Sequence, residues 1–377
     1  MIRVLLTGGG SGGHIYPLIA VADEVKRLAD ESNFRVGFSY AGSPGKFKEV
    51  LRAEGIPVRL IAGGKIRNYF SILNFFDPFK IFFSFFQALF LLFFMMPDVI
   101  FSKGGPGAFP IVFAGWFYRI PVLIHDSDAI PGRTNRASAA YAKWIAVSFE
   151  GASKYFESKR VALVGNPIRS ELLRHATAHE TALAKFGFSP DLPLILILGA
   201  SQGATRINDF IFDNIETLIT NYQIFHQVGI ANYDEAVRQM NFIIESLPSE
   251  QKARYKVVPF FEDDYEAALS ASDIVVGRAS GGLIFEIAAF GKPSILIPLP
   301  ESAQDHQKEN AYAYAKSGAT IVIEQENLFL TIFKEQLNKI LGDANLYSKM
   351  SAAALAFTKP EAATIIADEI IKFARKK

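Results

Sequence analysis

Apolar residues recur along the chain in two alternating rhythms. Short β-rich runs end on glycine and give way to stretches with apolar residues at helical spacing. IRVLLTGGG leads into LIAVADEVKRLA and then into FRVGFSYAG. Strand, crossover helix and strand in that order predict βαβ units around a parallel sheet. The alternation begins again at Pro193 with PLILILGASQGATRINDFIFDNI, and strand-like runs follow at YQIFHQVG, YKVVPFF, DIVVGR and SILIPLP. Between the two sets, VALVGNPIRSELL closes the first group of strands, so the crossover is expected near Gly165 to Pro167. The last segment, AATIIADEIIKFARKK, has the apolar spacing of a helix and a basic carboxyl end that suits its dipole. The pattern predicts an α/β chain of two Rossmann-like, doubly wound parallel-sheet domains, 1–165 and 166–360. The final helix, 361–377, is expected to join the first domain.

Composition narrows the function. A chain of 377 residues, 50% hydrophobic, is long enough for two cores and is not disordered. Its 39 basic and 38 acidic residues nearly cancel, so no global field draws it to nucleic acid. The absence of cysteine excludes disulfides, thiolate metal sites and a cysteine nucleophile. The apolar run at the amino terminus is too short for the core of a signal peptide, which predicts a cytoplasmic chain.

Three glycine turns carry the candidate chemistry. TGGGSGGH (Thr7 to His14) stands between a strand and a helix expected from about Pro17. There glycine lets a ligand approach the backbone, and helix amides can face a phosphate. It matches neither the dinucleotide spacing nor a phosphate loop with its lysine. GASQGA (Gly199 to Ala204) repeats the arrangement with Ser201 and Gln202 as donors. In GRASGGLIFEIAAFGKP a strand ends near Gly277, and a helix opening at the Ser-Gly-Gly offers a diphosphate site. Glu286, one turn in, can accept from ribose hydroxyls. Together the turns predict a sugar-nucleotide cleft between the domains.

GGGSGGHIYP, GNPIR, GASQGA, FFEDD, RASGGLIFEIAAFGKP and DHQKENA occur in the order seen in the MurG family, which the chain resembles from about Ile2 to its final helix. The resemblance implies a GT-B fold with two domains facing a central cleft. It also implies an inverting transferase with no metal or cofactor, carrying N-acetylglucosamine from UDP-GlcNAc to undecaprenyl-pyrophosphoryl-N-acetylmuramoyl-pentapeptide, lipid I. Lipid II for peptidoglycan synthesis would be the product. By position, the donor site falls on Ser11, Gly12, Gly13, Arg169 and Ser201, on the backbone of Glu262, on Gly281, Gly282, Leu283, Ile284, Phe285 and Glu286, and on Gln307. Gln202 and Asp128 are placed with them. His14 falls on the acceptor side. An imidazole suits the removal of a hydroxyl proton near neutrality, and helix amino termini with Arg169 suit the charge left on UDP.

The chain also departs from the family. His125-Asp126-Ser127-Asp128 stands where His-Glu-Gln-Asn is usual, and Pro106 replaces an aromatic residue after the glycine pair. Gly282 and Leu283 stand where hydroxyl residues are common. Asp126 is therefore a rival base, and the acceptor stays open. Asp126 and Asp128 also spell D-x-D, a weak metal signal. His175 and His179 fall at helical spacing with no third ligand, which predicts an exposed helix face.

Of 34 phenylalanines, 11 fall between Phe70 and Phe94. The uncharged run from Ile81 to Met96 is shorter than the about 20 residues a spanning helix needs. It predicts a loop and helix dipping into the cytoplasmic face of the inner membrane as a peripheral anchor. Phe75, Phe76, Phe79, Phe82, Phe83 and Phe86 would lie on the lipid side, with Lys65, Arg67 and Lys80 near head groups. A buried core helix is the competing reading. Beside the lipid II-forming transferase stand a transferase with another lipid acceptor, an epimerase of the same architecture, and a UDP-sugar sensor without turnover.

Overall fold

The computed structural model describes residues 1–62, 73–157, 160–174, 177–199, 204–245, 247–300 and 302–376. Among the expected site residues, Ser201 and Gln202 lie outside this set, as do Lys65, Arg67 and His175. Phe75, Phe76 and Phe79 are described by their backbone alone.

The chain forms two compact units, Met1–Ser170 with Lys359–Lys377, and Glu171–Thr358. The first unit carries β1 (Ile2–Thr7), β2 (Val36–Gly42), β3 (Val58–Leu60), β4 (Val99–Ser102), β5 (Val122–Asp126), β6 (Trp144–Val147) and β7 (Val161–Leu163). These form one seven-stranded parallel sheet in the order β3-β2-β1-β4-β5-β6-β7. Its helices are α1 (Gly12–Glu31), α2 (Lys48–Ala53), α3 (Leu73–Met95), α4 (Ala108–Phe117) and α5 (Arg133–Ser138). Alternation along β1 and β4 sends side chains to both faces of the sheet. Val4, Leu6, Val99 and Phe101 pack against α1 on one side, whereas Leu5 and Ile100 join Ala88, Leu92 and Ile111 on the other.

The chain leaves this unit at α6 (Ser170–Arg174), a few residues beyond the expected crossover, and continues into α7 (His179–Phe186). The second unit has β8 (Leu194–Leu198), β9 (Gln223–Gln227), β10 (Tyr255–Val258), β11 (Ile274–Gly277), β12 (Ser294–Leu296) and β13 (Thr320–Val322), in the parallel order β10-β9-β8-β11-β12-β13. Its helices continue as α8 (Thr205–Leu218), α9 (Tyr233–Ile244), α10 (Ser249–Lys252), α11 (Tyr265–Ala271), α12 (Gly281–Ala289), α13 (His306–Ala315), α14 (Leu330–Leu341) and α15 (Ala344–Phe357). The last helix, α16 (Ala362–Arg375), belongs to the first unit. Ile366, Ala367 and Ile370 enter its core, and Thr364 Oγ1 donates to Glu24 Oε1 on α1 at 2.7 Å.

One local expectation is corrected. Helix α1 begins at Gly12, not near Pro17: Ser11 is its extended N-cap, and Ile15 N–H donates to the Ser11 carbonyl at 3.1 Å. Proline usually marks the first turn, but here it sits inside the helix, where it forgoes one main-chain bond. The expected pairing of His175 and His179 on one helix face falls outside the described residues, since only His179 is described. His179 opens α7, and its Nδ1 pairs with the Ser270 carbonyl at 3.1 Å.

Candidate active site

In both sheets the strand order reverses beside the first strand of the unit, between β1 and β4 and between β8 and β11. Doubly wound sheets bind ligands beyond the carboxyl ends of the strands at such a switch point, because the flanking loops part there. Each glycine turn singled out in the sequence leaves one of these strands.

In the first unit, the turn after β1 packs against the turn after β4. A Cβ at Gly105, whose φ is +85°, would fall 2.7 Å from the Gly9 Cα, so only glycine permits the approach. The His14 ring lies against both turns, its Nδ1 3.1 Å from a Cβ built at Gly9 and its Nε2 3.3 Å from one built at Gly105. Ser11 Oγ shares a hydrogen bond of 2.7 Å with His14 Nδ1, so the N-cap serine orients an imidazole and makes no side-chain cap. A side chain at Gly13 would meet no atom within 4 Å, which leaves open space before the amino end of α1. Arg169 stacks its guanidinium on the Tyr16 ring at 4.8 Å.

Beneath these turns lies a buried polar floor. Asp126 accepts from Asp128 N–H at 3.0 Å, Gly132 N–H at 3.1 Å and Asn135 Nδ2 at 2.8 Å. Burial first, and Asp128 second, push its carboxyl up to about 6. These three bonds make the rival base the anchor of its own loop. Asp128 is half-buried at the other end of that anchor. Among the described residues, no group of three His, Cys, Asp or Glu side chains could hold a metal ion. Lys103, at the end of β4, is also buried, and burial pulls its amine down to about 7 against the opposing pull of Asp126 and Asp128. Its Nζ bonds His125 Nδ1 and donates to Ser127 Oγ at 2.5 Å. Burial, reinforced by Lys103, holds His125 well below the ordinary histidine range.

In the second unit, α12 opens with Ser280 as a regular N-cap, its Oγ accepting from Leu283 N–H at 3.4 Å. Gly282 faces open space. The side chains of Leu283, Ile284 and Phe285, expected in the donor site, are buried, which leaves their main chain for any donor contact. Leu283 packs toward Gly277, while Ile284 and Phe285 are in the core because the inner face of α12 must cover the sheet. Glu286 is half-buried and accepts from Tyr265 Oη at 2.8 Å. Glu262 is exposed beside Phe261, whose N–H donates to Gln227 Oε1 at 3.0 Å. Gln307, in the first turn of α13, accepts from Leu299 N–H at 3.1 Å, which ties it to the loop after β12.

The aromatic helix α3 packs against α4 through Phe85, whose ring meets Phe109 and Phe113 edge-on, and buries Ser84, Ala88 and Leu92. Its opposite side exposes Phe82, Phe83, Phe86, Phe90, Phe93 and Phe94, with Trp116 and Phe117 of α4. No described helix is long and apolar enough to cross a membrane.

Sequence reasoning missed Lys103, Asn135, Tyr265 and Arg278. Arg278 is buried and donates to the Ile297 and Pro298 carbonyls and to Gln325 Oε1. A charged residue within an otherwise apolar or glycine-rich strand end was the available signal, since such a group is buried only with partners.

Two doubly wound parallel sheets, each with a glycine turn at its switch point, make this a chain of two α/β domains, and its class is that of the glycosyltransferases. Residues 4–147 match the glycosyltransferase family 28 N-terminal domain, and residues 194–366 match its C-terminal domain. A relative from Clostridium kluyveri is 34% identical over 94% of this chain and 96% of its own. It is named UDP-N-acetylglucosamine–N-acetylmuramyl-(pentapeptide) pyrophosphoryl-undecaprenol N-acetylglucosamine transferase. The crystal structure of Acinetobacter baumannii MurG superposes with a TM-score of 0.74 at 26% identity, covering 99% of this chain and 100% of that one. The chain belongs to the MurG family. A UDP-GlcNAc 2-epimerase from Neisseria meningitidis shares the fold alone, with a TM-score of 0.66 at 16% identity over 99% of this chain and 100% of that one.

Proposed function

We propose that this chain transfers N-acetylglucosamine from UDP-GlcNAc to the C4 hydroxyl of lipid I, with inversion, giving lipid II. The observation that carries the reading is the His14 ring, held by Ser11 against two glycine turns at a switch point in a MurG-family chain. With Nδ1–H donating to Ser11 Oγ, Nε2 carries the lone pair that takes the C4 hydroxyl proton. The freed oxygen attacks the anomeric carbon, its bond to the diphosphate breaks, and UDP departs with the electron pair. Arg169 in the first unit and, in the second, the amino end of α12 at Gly281 and Gly282 are each suited to the negative charge that builds on UDP. Glu286, oriented by Tyr265, accepts from the ribose hydroxyls, Glu262 lies beside the uracil, and Gln307 reaches the sugar. Within the first unit, Ser11, Gly12 and Gly13 offer the amino end of α1 to the donor, while Asp126 and Asp128 shape the floor.

The exposed phenylalanines of α3, with Trp116 and Phe117, form an apolar surface for the cytoplasmic face of the membrane, where a polyprenyl acceptor resides. Exposed Lys80 and Arg119 supply positive charge for anionic head groups. The test is transfer of labelled GlcNAc from UDP-GlcNAc to lipid I, with and without EDTA. A β-linked disaccharide on the lipid, formed equally in EDTA, supports the reading. UDP-GlcNAc binding without transfer to lipid I overturns it, and product on a diacylglycerol reassigns the acceptor.

A further inference from the structure

The buried amine of Lys103 has no part in the reaction described above, although it is 3% exposed and sits at the carboxyl end of β4. Its main-chain N–H donates to the Thr7 carbonyl at 2.9 Å, immediately before the first glycine turn. Its side chain starts two hydrogen-bonded branches that converge on one loop. In one, Nζ donates to His125 Nδ1, and His125 Nε2–H donates to the Gly165 carbonyl at 2.8 Å. In the other, Nζ donates to Ser127 Oγ at 2.5 Å, and Ser127 Oγ–H donates to Asn166 Oδ1 at 2.7 Å. With Nδ1 accepting from Lys103 and Nε2 facing the Gly165 carbonyl, His125 is the neutral tautomer protonated on Nε2. Two N–H groups suffice for both branches, so ammonium and free amine hold the same geometry. Gly165 and Asn166 are followed by Pro167, whose locked φ transmits their position, and then by Ile168 and Arg169. Arg169 rests on the ring of Tyr16, two residues along α1 from His14.

We propose that Lys103 is a positioning residue for glycosyl transfer: through His125 and Ser127 it holds the loop of Gly165 and Asn166, and so sets the Arg169 guanidinium in register with His14. This rests on the reading of Arg169 as a partner of the donor diphosphate. A polar network that serves stability alone would show no energetic link to Arg169, whereas a positioning residue must act through it. The charge setting supports a specific arrangement. Asp126 and Asp128 are the carboxylates whose charge opposes the loss of the Lys103 proton.

A double-mutant cycle on the full chain tests the inference. Lys103→Met and Arg169→Ala, singly and together, are assayed for kcat and for KM toward UDP-GlcNAc. If Lys103→Met fails to fold by circular dichroism, the cycle is run in Asp128→Asn as the common background, which removes the excess carboxylate. Lys103→Met is expected to raise KM by about fivefold or more, and the double variant to be no worse than Arg169→Ala, because the energies of coupled sites do not add. Multiplicative losses, or a Lys103→Met enzyme with unchanged kinetics, overturn the positioning role. Wild-type kinetics in Arg169→Ala overturn the reading of Arg169 itself, and the inference with it.

Discussion

Helices α1 and α12 open with the same tripeptide, Ser11-Gly12-Gly13 and Ser280-Gly281-Gly282, each after a strand at the switch point of its own sheet. Both serines are extended N-caps. Ser280 caps in the ordinary way, accepting from Leu283 N–H, whereas Ser11 gives its Oγ to the His14 ring. One residue decides the difference. At the third helical position an apolar side chain turns into the core and leaves its amide for the serine, while an imidazole competes for the hydroxyl and is oriented by it. In the proposed function the same backbone device would serve anion binding in one unit and place a base in the other.

The largest expected effect separates these two uses. Removing a general base costs about 10²- to 10⁴-fold. His14→Ala should lower kcat by that amount with little change in KM for UDP-GlcNAc. Glu286→Ala should instead raise that KM about tenfold with a smaller change in kcat, as expected for a lost hydrogen bond to a charged group. Steady-state kinetics on both variants decide the matter, and parallel losses in kcat would erase the distinction.

The units also differ on their surfaces, since only α3 and α4 present a continuous aromatic face among the described residues. Replacing Phe83, Phe90 and Phe94 by serine removes side chains worth about 1.5 kcal/mol or more each when buried. Sedimentation with anionic vesicles should then show binding weakened well over tenfold, with transfer to a soluble lipid I analogue retained. Undiminished vesicle binding would leave the aromatic face without a role.

A third difference is the titratable floor of the first unit. The Lys103 amine falls from 10.5 to about 7 on folding, so between these values the unfolded chain holds a proton that the folded chain has lost. Its contribution is full above the unfolded value and fades as pH falls to about 7, at up to about 1.4 kcal/mol per pH unit. Asp126, raised from 3.8 to about 6, acts in the opposite sense, contributing most below 3.8 and fading as pH rises to about 6. Urea unfolding should show stability rising from pH 7.5 to 9 more steeply in the wild type than in Lys103→Met. Equal slopes would mean that Lys103 stays fully charged in the fold.

The smallest effect tests the serines themselves. Ser280→Ala should lower stability by about 0.5 to 1 kcal/mol, the low end for a lost cap given its length of 3.4 Å. Ser11→Ala should leave thermal unfolding nearly unchanged yet slow transfer. Matching losses of stability would show that both serines merely cap.

Much of this was legible in the chain. Strand runs such as IRVLLT and LILIL ending on glycine, with helical spacing between them, dictated two parallel sheets, because apolar period and turn residues act locally. The motifs GGGSGGHIYP and RASGGLIFEIAAFGKP placed His14 and Glu286 just after two of the strand ends, through the resemblance and the glycine turns. The sequence could not say that Ile284 and Phe285 turn inward, since a helix apolar nearly all round shows no preferred face until it meets its sheet. It could not say that Asp126 is an anchor and Lys103 the centre of a network. Their partners Asn135, Ser127 and Asn166 come from separate loops, and burial, which only the assembled sheet imposes, is what forces those polar groups to find one another.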